Sequence, residues 1–166
     1  MNFTIQFDLM SAPGITLNTV MTEELTITSA KAMQELAGEF AQRLHSGDVV
    51  LLHGDLGAGK TTFTQGVANA FGVQGSVQSP TFTLVREHEG REMRLYHLDL
   101  YRLDDPDELE DIGYETYIDP TDGVSLIEWP ERAGSWLPAS FWLVRIEHLG
   151  GDNRRLTLQY IDKDAS

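Results

Sequence analysis

The sequence predicts a mixed α/β fold: one sheet with a parallel centre, antiparallel edge strands and flanking helices. Three observations predict it. Val49-Val50-Leu51-Leu52 is a short, unbroken apolar run, the pattern of a strand buried on both faces of a parallel sheet. Helical apolar periodicity stands on both sides of that run, over about 30–44 and 60–71. Two later pairs of extended runs are each joined by a short glycine-containing turn, as antiparallel hairpins are. The order helix, strand, helix, hairpin, helix, strand, hairpin suits such a sheet.

Taken in order, residues 1–24 show weak periodicity and a Pro13-Gly14 break, and are expected to form a loose arm ahead of a single domain over 25–166. Ser29 can cap a helix from about Ala30 to Leu44, in which Met33, Leu36, Ala37, Phe40, Ala41 and Leu44 make one apolar face. Gly47-Asp48 separates it from the Val49–Leu52 strand. After a glycine-rich turn, a second helix is expected from about Lys60 to Phe71, stopped by Gly72. Pro80 to Glu89 and Glu92 to Leu98 read as a hairpin turning at Glu89-Gly90-Arg91. Asp104-Asp105-Pro106 opens a short acidic helix through about Ile112; proline in the first turn and carboxylates at the positive helix end both fit. Val124 to Trp129 is a further strand, stopped by Pro130. Phe141 to Leu149 and Arg154 to Ile161 make the last hairpin, around Gly150-Gly151-Asp152-Asn153.

The bulk numbers narrow the function. A chain of 166 residues fits one domain, and at that length folding buries roughly two-thirds of the unfolded surface. No apolar run approaches the roughly 20 residues of a membrane helix, and the N-terminus has no secretory signal pattern, so the cytoplasm is the expected compartment. There is no cysteine, which excludes disulfides, zinc-thiolate sites and thiol catalysis. Acids outnumber bases 26 to 12, for a net charge of −14, and the lysines are only Lys31, Lys60 and Lys163. A broad nucleic-acid face needs many cations to displace counterions and is not expected. Arg86, Arg91, Arg94 and Arg102 lie close in sequence, but interleaved acids favour scattered, solvated charges.

The chemistry starts at Gly54-Asp55-Leu56-Gly57-Ala58-Gly59-Lys60-Thr61, which matches the phosphate-binding loop G-x-x-x-x-G-K-[ST] at every fixed position, with a buried strand before it and a helix after it. Loop N–H groups must converge on phosphate oxygens, so side chains there must be small, and the helix N-terminus adds unpaired donors. Lys60 would reach the β/γ-phosphates and Thr61 would offer its hydroxyl to magnesium. The fold is therefore expected to be P-loop NTPase-like. A second acid is needed at a strand end; Glu128, closing Val124–Ile127, and Asp99, closing His97-Leu98, are the candidates. His97, Asp99 and Tyr101 alternate and should share one face. No Asn-Lys-x-Asp guanine motif surrounds Lys31 or Lys163, which favours ATP over GTP.

Further motifs line up with one family. They are Ser79-Pro80-Thr81-Phe82-Thr83-Leu84-Val85, His97-Leu98-Asp99-Leu100-Tyr101-Arg102-Leu103, Asp105-Pro106-Asp107-Glu108-Leu109-Glu110 and Ile127-Glu128-Trp129-Pro130-Glu131, in this order after the loop and its Thr62. From about Ala30 onward the chain resembles the TsaE (YjeE) family of P-loop ATPases of bacterial tRNA threonylcarbamoyladenosine synthesis. The resemblance implies ATP hydrolysis in partnership with TsaB and TsaD, with TsaD carrying the transferase chemistry and the tRNA met only indirectly. It implies that Asp55, Leu56, Gly57, Ala58, Gly59, Lys60, Thr61 and Thr62 cradle the nucleotide, that Thr61 and Glu128 hold Mg2+, that Asp99 is the further acid for hydrolysis, and that Thr81 is a switch-like residue near the γ-phosphate. Trp129 is expected to move with nucleotide state. Where the family often has a threonine near the base, this chain has Met33, which can stack but lacks the hydroxyl. Residues 1–24 exceed what the resemblance implies.

Two other readings compete with a partner-activated ATPase. A small-molecule kinase usually needs an arginine-rich lid, but the best lid segment, 104–111, is acidic and lacks arginine. A nucleotide-gated binding module would use Ser79–Leu84 as a switch without meaningful turnover. No arginine finger is evident; Arg132 is the nearest candidate.

Overall fold

The computed structural model describes residues 18–80 and 83–164. One seven-stranded sheet organises them, in the order β1-β7-β6-β2-β5-β4-β3. At its centre β2 (Val49–His53) pairs in parallel with β5 (Gly123–Glu128) and β6 (Ser140–Gly150), and β5 pairs in parallel with β4 (Arg94–Asp99). β3 (Val85–Glu89) joins β4 antiparallel at one edge; β7 (Asn153–Asp162) and β1 (Asn18–Ile27) join β6 antiparallel at the other. The parallel centre and antiparallel edges are as the patterns predict.

The central strands are buried on both sides, and alternation divides their side chains between two cores. Val50, Leu52, Leu126 and Val144 face α1 (Ala30–Ala41) and α2 (Lys60–Phe71), where they meet Met33, Phe40, Phe63 and Val67. Leu51, Leu98, Ile127 and Leu143 face the other way, against Leu109 and Tyr114 from the short α3 (Glu108–Asp111) and the segment leading into α4 (Glu115–Ile118). α1 and α2 pack closely because Gly66 has no side chain: a Cβ there would lie 2.5 Å from Gln34 O and 2.7 Å from Ala37 Cβ.

Several boundaries differ from expectation for physical reasons. Residues 18–24 of the expected loose arm belong to β1, because the outer edge of β7 offers a ladder and Leu25 and Ile27 reach the core while Thr22, Glu24 and Thr26 between them stay exposed; residues 1–17 lie outside the described residues. α1 ends at Ala41 rather than Leu44: Gln42, Arg43 and Leu44 bond back three residues to Glu39, Phe40 and Ala41, tightening the final turn. The β3 strand begins at Val85 rather than Pro80, since Thr83 and Leu84 N–H both donate to Pro80 O in a turn and Leu84 adopts φ 64°. The acidic helix is only α3, preceded by bonds to carbonyls three residues back from Glu108, Leu109 and Glu110. α4 and a 3₁₀ turn at Pro130–Ala133 have no counterpart in the predicted elements.

Candidate phosphate-binding cleft

Parallel strands end on a common edge, and that edge builds the site. β2 delivers the glycine-rich loop to the start of α2. In register, Glu128 lies opposite Leu52 on one side and Asp99 on the other. By alternation, His97 and Asp99 share the α1/α2 face with Leu95, and Glu128 shares it with Leu126. The strand ends at Asp99, so the shared face does not extend to Tyr101, which sits in the following turn, 39% exposed.

The loop holds its own lysine. Lys60 is 6% exposed, and its Nζ donates to Gly54 O and, at 3.1 Å, to Asp55 O. It also lies 4.1 Å from the centre of the Trp129 ring, a cation–π distance. Burial lowers the lysine's pKa, while Glu128, Glu131, Asp99 and Asp55 pull it back up. Gly54 must be glycine, since a Cβ would stand 2.6 Å from Ile146 O. Gly57 and Gly59 take φ 78° and 117°, a region that favours glycine.

The two acids meet over one hydroxyl. Ser79 Oγ is within hydrogen-bond distance of Asp99 Oδ2 and, at 2.9 Å, of Glu128 Oε2. Thr61 Oγ1 donates to Glu128 Oε1 at 3.3 Å, and Tyr101 N–H donates to Asp99 Oδ1 at 2.9 Å. Burial pushes the Glu128 carboxyl up, but His97, Ser79 and Lys60 together outweigh it and hold the group below its usual range. Trp129, next to Glu128, takes a left-handed backbone (φ 57°, ψ 50°) and packs against Tyr101 with ring centres 4.9 Å apart and planes tilted by 48°, so the two rings wall the cleft.

The result is a cleft of about 350 Å³ lined by Leu56, Gly57, Gly59, Lys60, Thr61, Thr62, Ser79, Asp99, Tyr101, Glu128 and Trp129. A smaller cavity of about 130 Å³ adjoins it behind the loop, between Met33, Ala58, Thr62, Asp152 and Arg154. Arg154 Nε donates to Ala58 O at 3.0 Å, which ties the last hairpin to the loop. Of the expected residues, Lys60, Thr61, Thr62, Asp99 and Glu128 thus come together with Leu56, Gly57 and Gly59; Asp55 contributes its carbonyl and Ala58 lies on the neighbouring wall. Thr81 lies outside the described residues. Arg132 is exposed on the 3₁₀ turn and does not line the cleft. Ser79 opens a motif read from the sequence but its place between the two acids is not foreseen there, and Arg154 is read only as the start of a strand: a serine before proline reads as a turn, and an arginine on a hairpin as a surface charge.

The comparisons with known proteins bear on the family and the fold. Residues 27–156 match the family model for TsaE, a threonylcarbamoyl adenosine biosynthesis protein. The chain is 42% identical over 127 residues to the tRNA threonylcarbamoyladenosine biosynthesis protein TsaE of Bacillus subtilis, covering 76% of this chain and 77% of that protein. It is 46% identical over 112 residues to the TsaE of Haemophilus influenzae, covering 66% and 70%. Its fold matches the crystal structure of Bacillus subtilis YdiB with a TM-score of 0.73 at 31% identity, over 86% of this chain and 87% of that one. A family model spanning most of the chain, with relatives this similar over comparable lengths, places the chain in the TsaE family.

Proposed function

We propose that the chain binds ATP with magnesium in this cleft, hydrolyses it, and serves as the ATPase component of tRNA N6-threonylcarbamoyladenosine modification, acting with TsaB and TsaD. The observation that carries the reading is the convergence of Lys60, Thr61, Asp99 and Glu128 on one cleft at the mouth of a glycine-rich loop. Membership of a family whose relatives are named for this modification supports the pathway.

In this reading the loop N–H groups from Asp55 to Thr62 cradle the phosphates, and Lys60 exchanges the Gly54 and Asp55 carbonyls for the β/γ-phosphates. The hydroxyl of Thr61 and the carboxylate of Glu128, 3.3 Å apart, suit a hard cation, which prefers oxygen donors. Among the described residues no group of three or more acids or histidines could hold a metal by itself, so phosphate oxygens and water would complete the shell. Bound Mg2+ supplies charge neutralisation on the phosphates. Asp99 is the further acid for hydrolysis, and Thr81 the switch-like residue by the γ-phosphate. The cavity beside Met33 offers the nucleoside an apolar wall. The sheet from β1 onward forms one ATPase domain, which thus takes in residues 18–24 as well as those from 25 on. With a net charge of −14, the tRNA is held by another subunit.

Among the described residues no arginine lines the cleft, so turnover is slow until partners bind. Steady-state ATP hydrolysis with magnesium, measured alone and with purified TsaB–TsaD, tests this. Strong stimulation by the partners, abolished in Glu128→Ala, is expected. Turnover indifferent to the partners, or fast in the isolated chain, would remove partner activation.

A further inference from the structure

His97 is a buried polar group to which the reading above gives no task. It sits on β4, 0% exposed, two residues before Asp99. Among the described residues neither ring nitrogen has a hydrogen-bond partner, although burying an imidazole unpartnered costs free energy that a leucine or phenylalanine of similar bulk would not incur. The ring faces a carboxylate: Nε2 stands 3.6 Å from Glu128 Oε2, a few tenths of an ångström beyond a hydrogen bond.

The two oxygens of Glu128 have separate surroundings. Oε1 faces the Thr61 hydroxyl at 3.3 Å, on the loop side. Oε2 faces Ser79 at 2.9 Å and His97 behind it. Ser79 has a single hydroxyl proton and also meets Asp99 Oδ2, so it cannot donate to both acids at once. A carboxylate that is to hold a cation through one oxygen needs a donor that fixes the other. His97 is placed to supply it.

We propose that His97 is a positioning residue: its Nε2–H anchors Oε2 of Glu128 and so keeps Oε1 turned toward Thr61 and the cation. This rests on the MgATP reading above. It predicts that His97 matters for the metal-dependent part of nucleotide affinity and not for the phosphate contacts of the loop.

The test is calorimetric titration of ATP into the full chain, with Mg2+ and with EDTA, for wild type and for His97→Phe, His97→Gln and His97→Asn, alongside thermal melts. Wild type should bind more tightly with Mg2+. His97→Phe should lose roughly 10-fold or more of that gain, while affinity in EDTA stays within about twofold. His97→Gln, which carries a donor about as far out as Nε2, should recover most of the gain. His97→Asn, too short to reach Oε2, should not. A wild-type Mg2+ gain in His97→Phe would overturn the proposal. So would equal behaviour of the Gln and Asn variants, a comparison between two polar amides that stands even if the Phe variant fails to fold. Losses in parallel with and without Mg2+ would mark a purely structural histidine. Absence of any Mg2+ gain in wild type would instead remove the MgATP reading itself.

Discussion

The two faces of the sheet are built from different materials. One is covered by α1 and α2, each of 12 residues, packed on an apolar layer from β2, β5 and β6. The other is covered by α3 and α4, each of four residues, and by the 3₁₀ turn after Trp129. The long-helix face also carries His97, Asp99 and Glu128 at its functional edge. By the same alternation, His53 and Arg145, paired across β2 and β6, lie on the short-helix face beside the turn that bears Glu131. The helical layer thus holds the acids in place, while the thinner layer leaves a second polar cluster partly exposed. Lys60 stands where they meet, drawn upward in pKa by Glu128 and Asp99 from one side and by Glu131 from the other.

The largest effect is expected at that junction. Lys60→Ala removes the cation that both sets of carboxylates share and the charged donor expected at the phosphates. Losing a charge-assisted hydrogen bond of up to about 3 kcal/mol predicts roughly a 100-fold fall in ATP affinity. Isothermal titration should show it while circular dichroism shows the fold retained. Unchanged affinity would remove the loop from nucleotide binding.

A smaller effect separates packing from chemistry. Gly66→Ala puts a methyl within 2.5 Å of Gln34 O and 2.7 Å of Ala37 Cβ, so α1 and α2 must part. Overpacking of this kind costs about 1–3 kcal/mol. Urea unfolding should show that loss, with ATP affinity of the folded protein changed only a few-fold. A stability equal to wild type would mean that the helical layer is less tightly fixed than its contacts imply.

The same contrast explains what was legible in the sequence. The phosphate loop and α2 could be read because Gly54, Gly59, Lys60 and Thr61 are local backbone and charge requirements at fixed spacing. Glu128 could be read because it closes an apolar run on a strand buried along its length. α1 announced itself by periodicity. The short-helix face could not be read this way, since a four-residue helix completes barely one turn and shows no period. β1 was hidden because Met21, Thr22, Glu24 and Thr26 are exposed, and only pairing with β7 defines it. The role of Ser79, unlike the motif it opens, was hidden for a related reason. Its two carboxylate contacts exist only because β4 and β5 bring Asp99 and Glu128 into register. The left-handed Trp129 likewise has no local signal, since the residue before a proline is ordinarily extended.

The subtlest expected effect belongs to the short-helix face and depends on pH. Burial, with Arg145 and Lys60 adding to it and Asp55 and Glu147 opposing, lowers the His53 ring from 6.5 to about 4. Above pH 6.5 neither folded nor unfolded chain protonates it. Between there and about 4 the unfolded chain binds a proton that the folded chain refuses, so stability falls as the pH falls. Below that both states are charged and the loss stops. Solvent at the partly exposed ring reduces the effect to about 1 kcal/mol. Glu131 has the opposite sign: burial raises its carboxyl, so the folded chain takes up that proton first and gains stability as the pH falls through the raised value. Urea unfolding across this range should therefore flatten in His53→Gln and steepen in Glu131→Gln. Parallel curves for all three proteins would show that neither group is desolvated in the folded state, and would leave the thinner face with no titrating cluster to set it apart from the other.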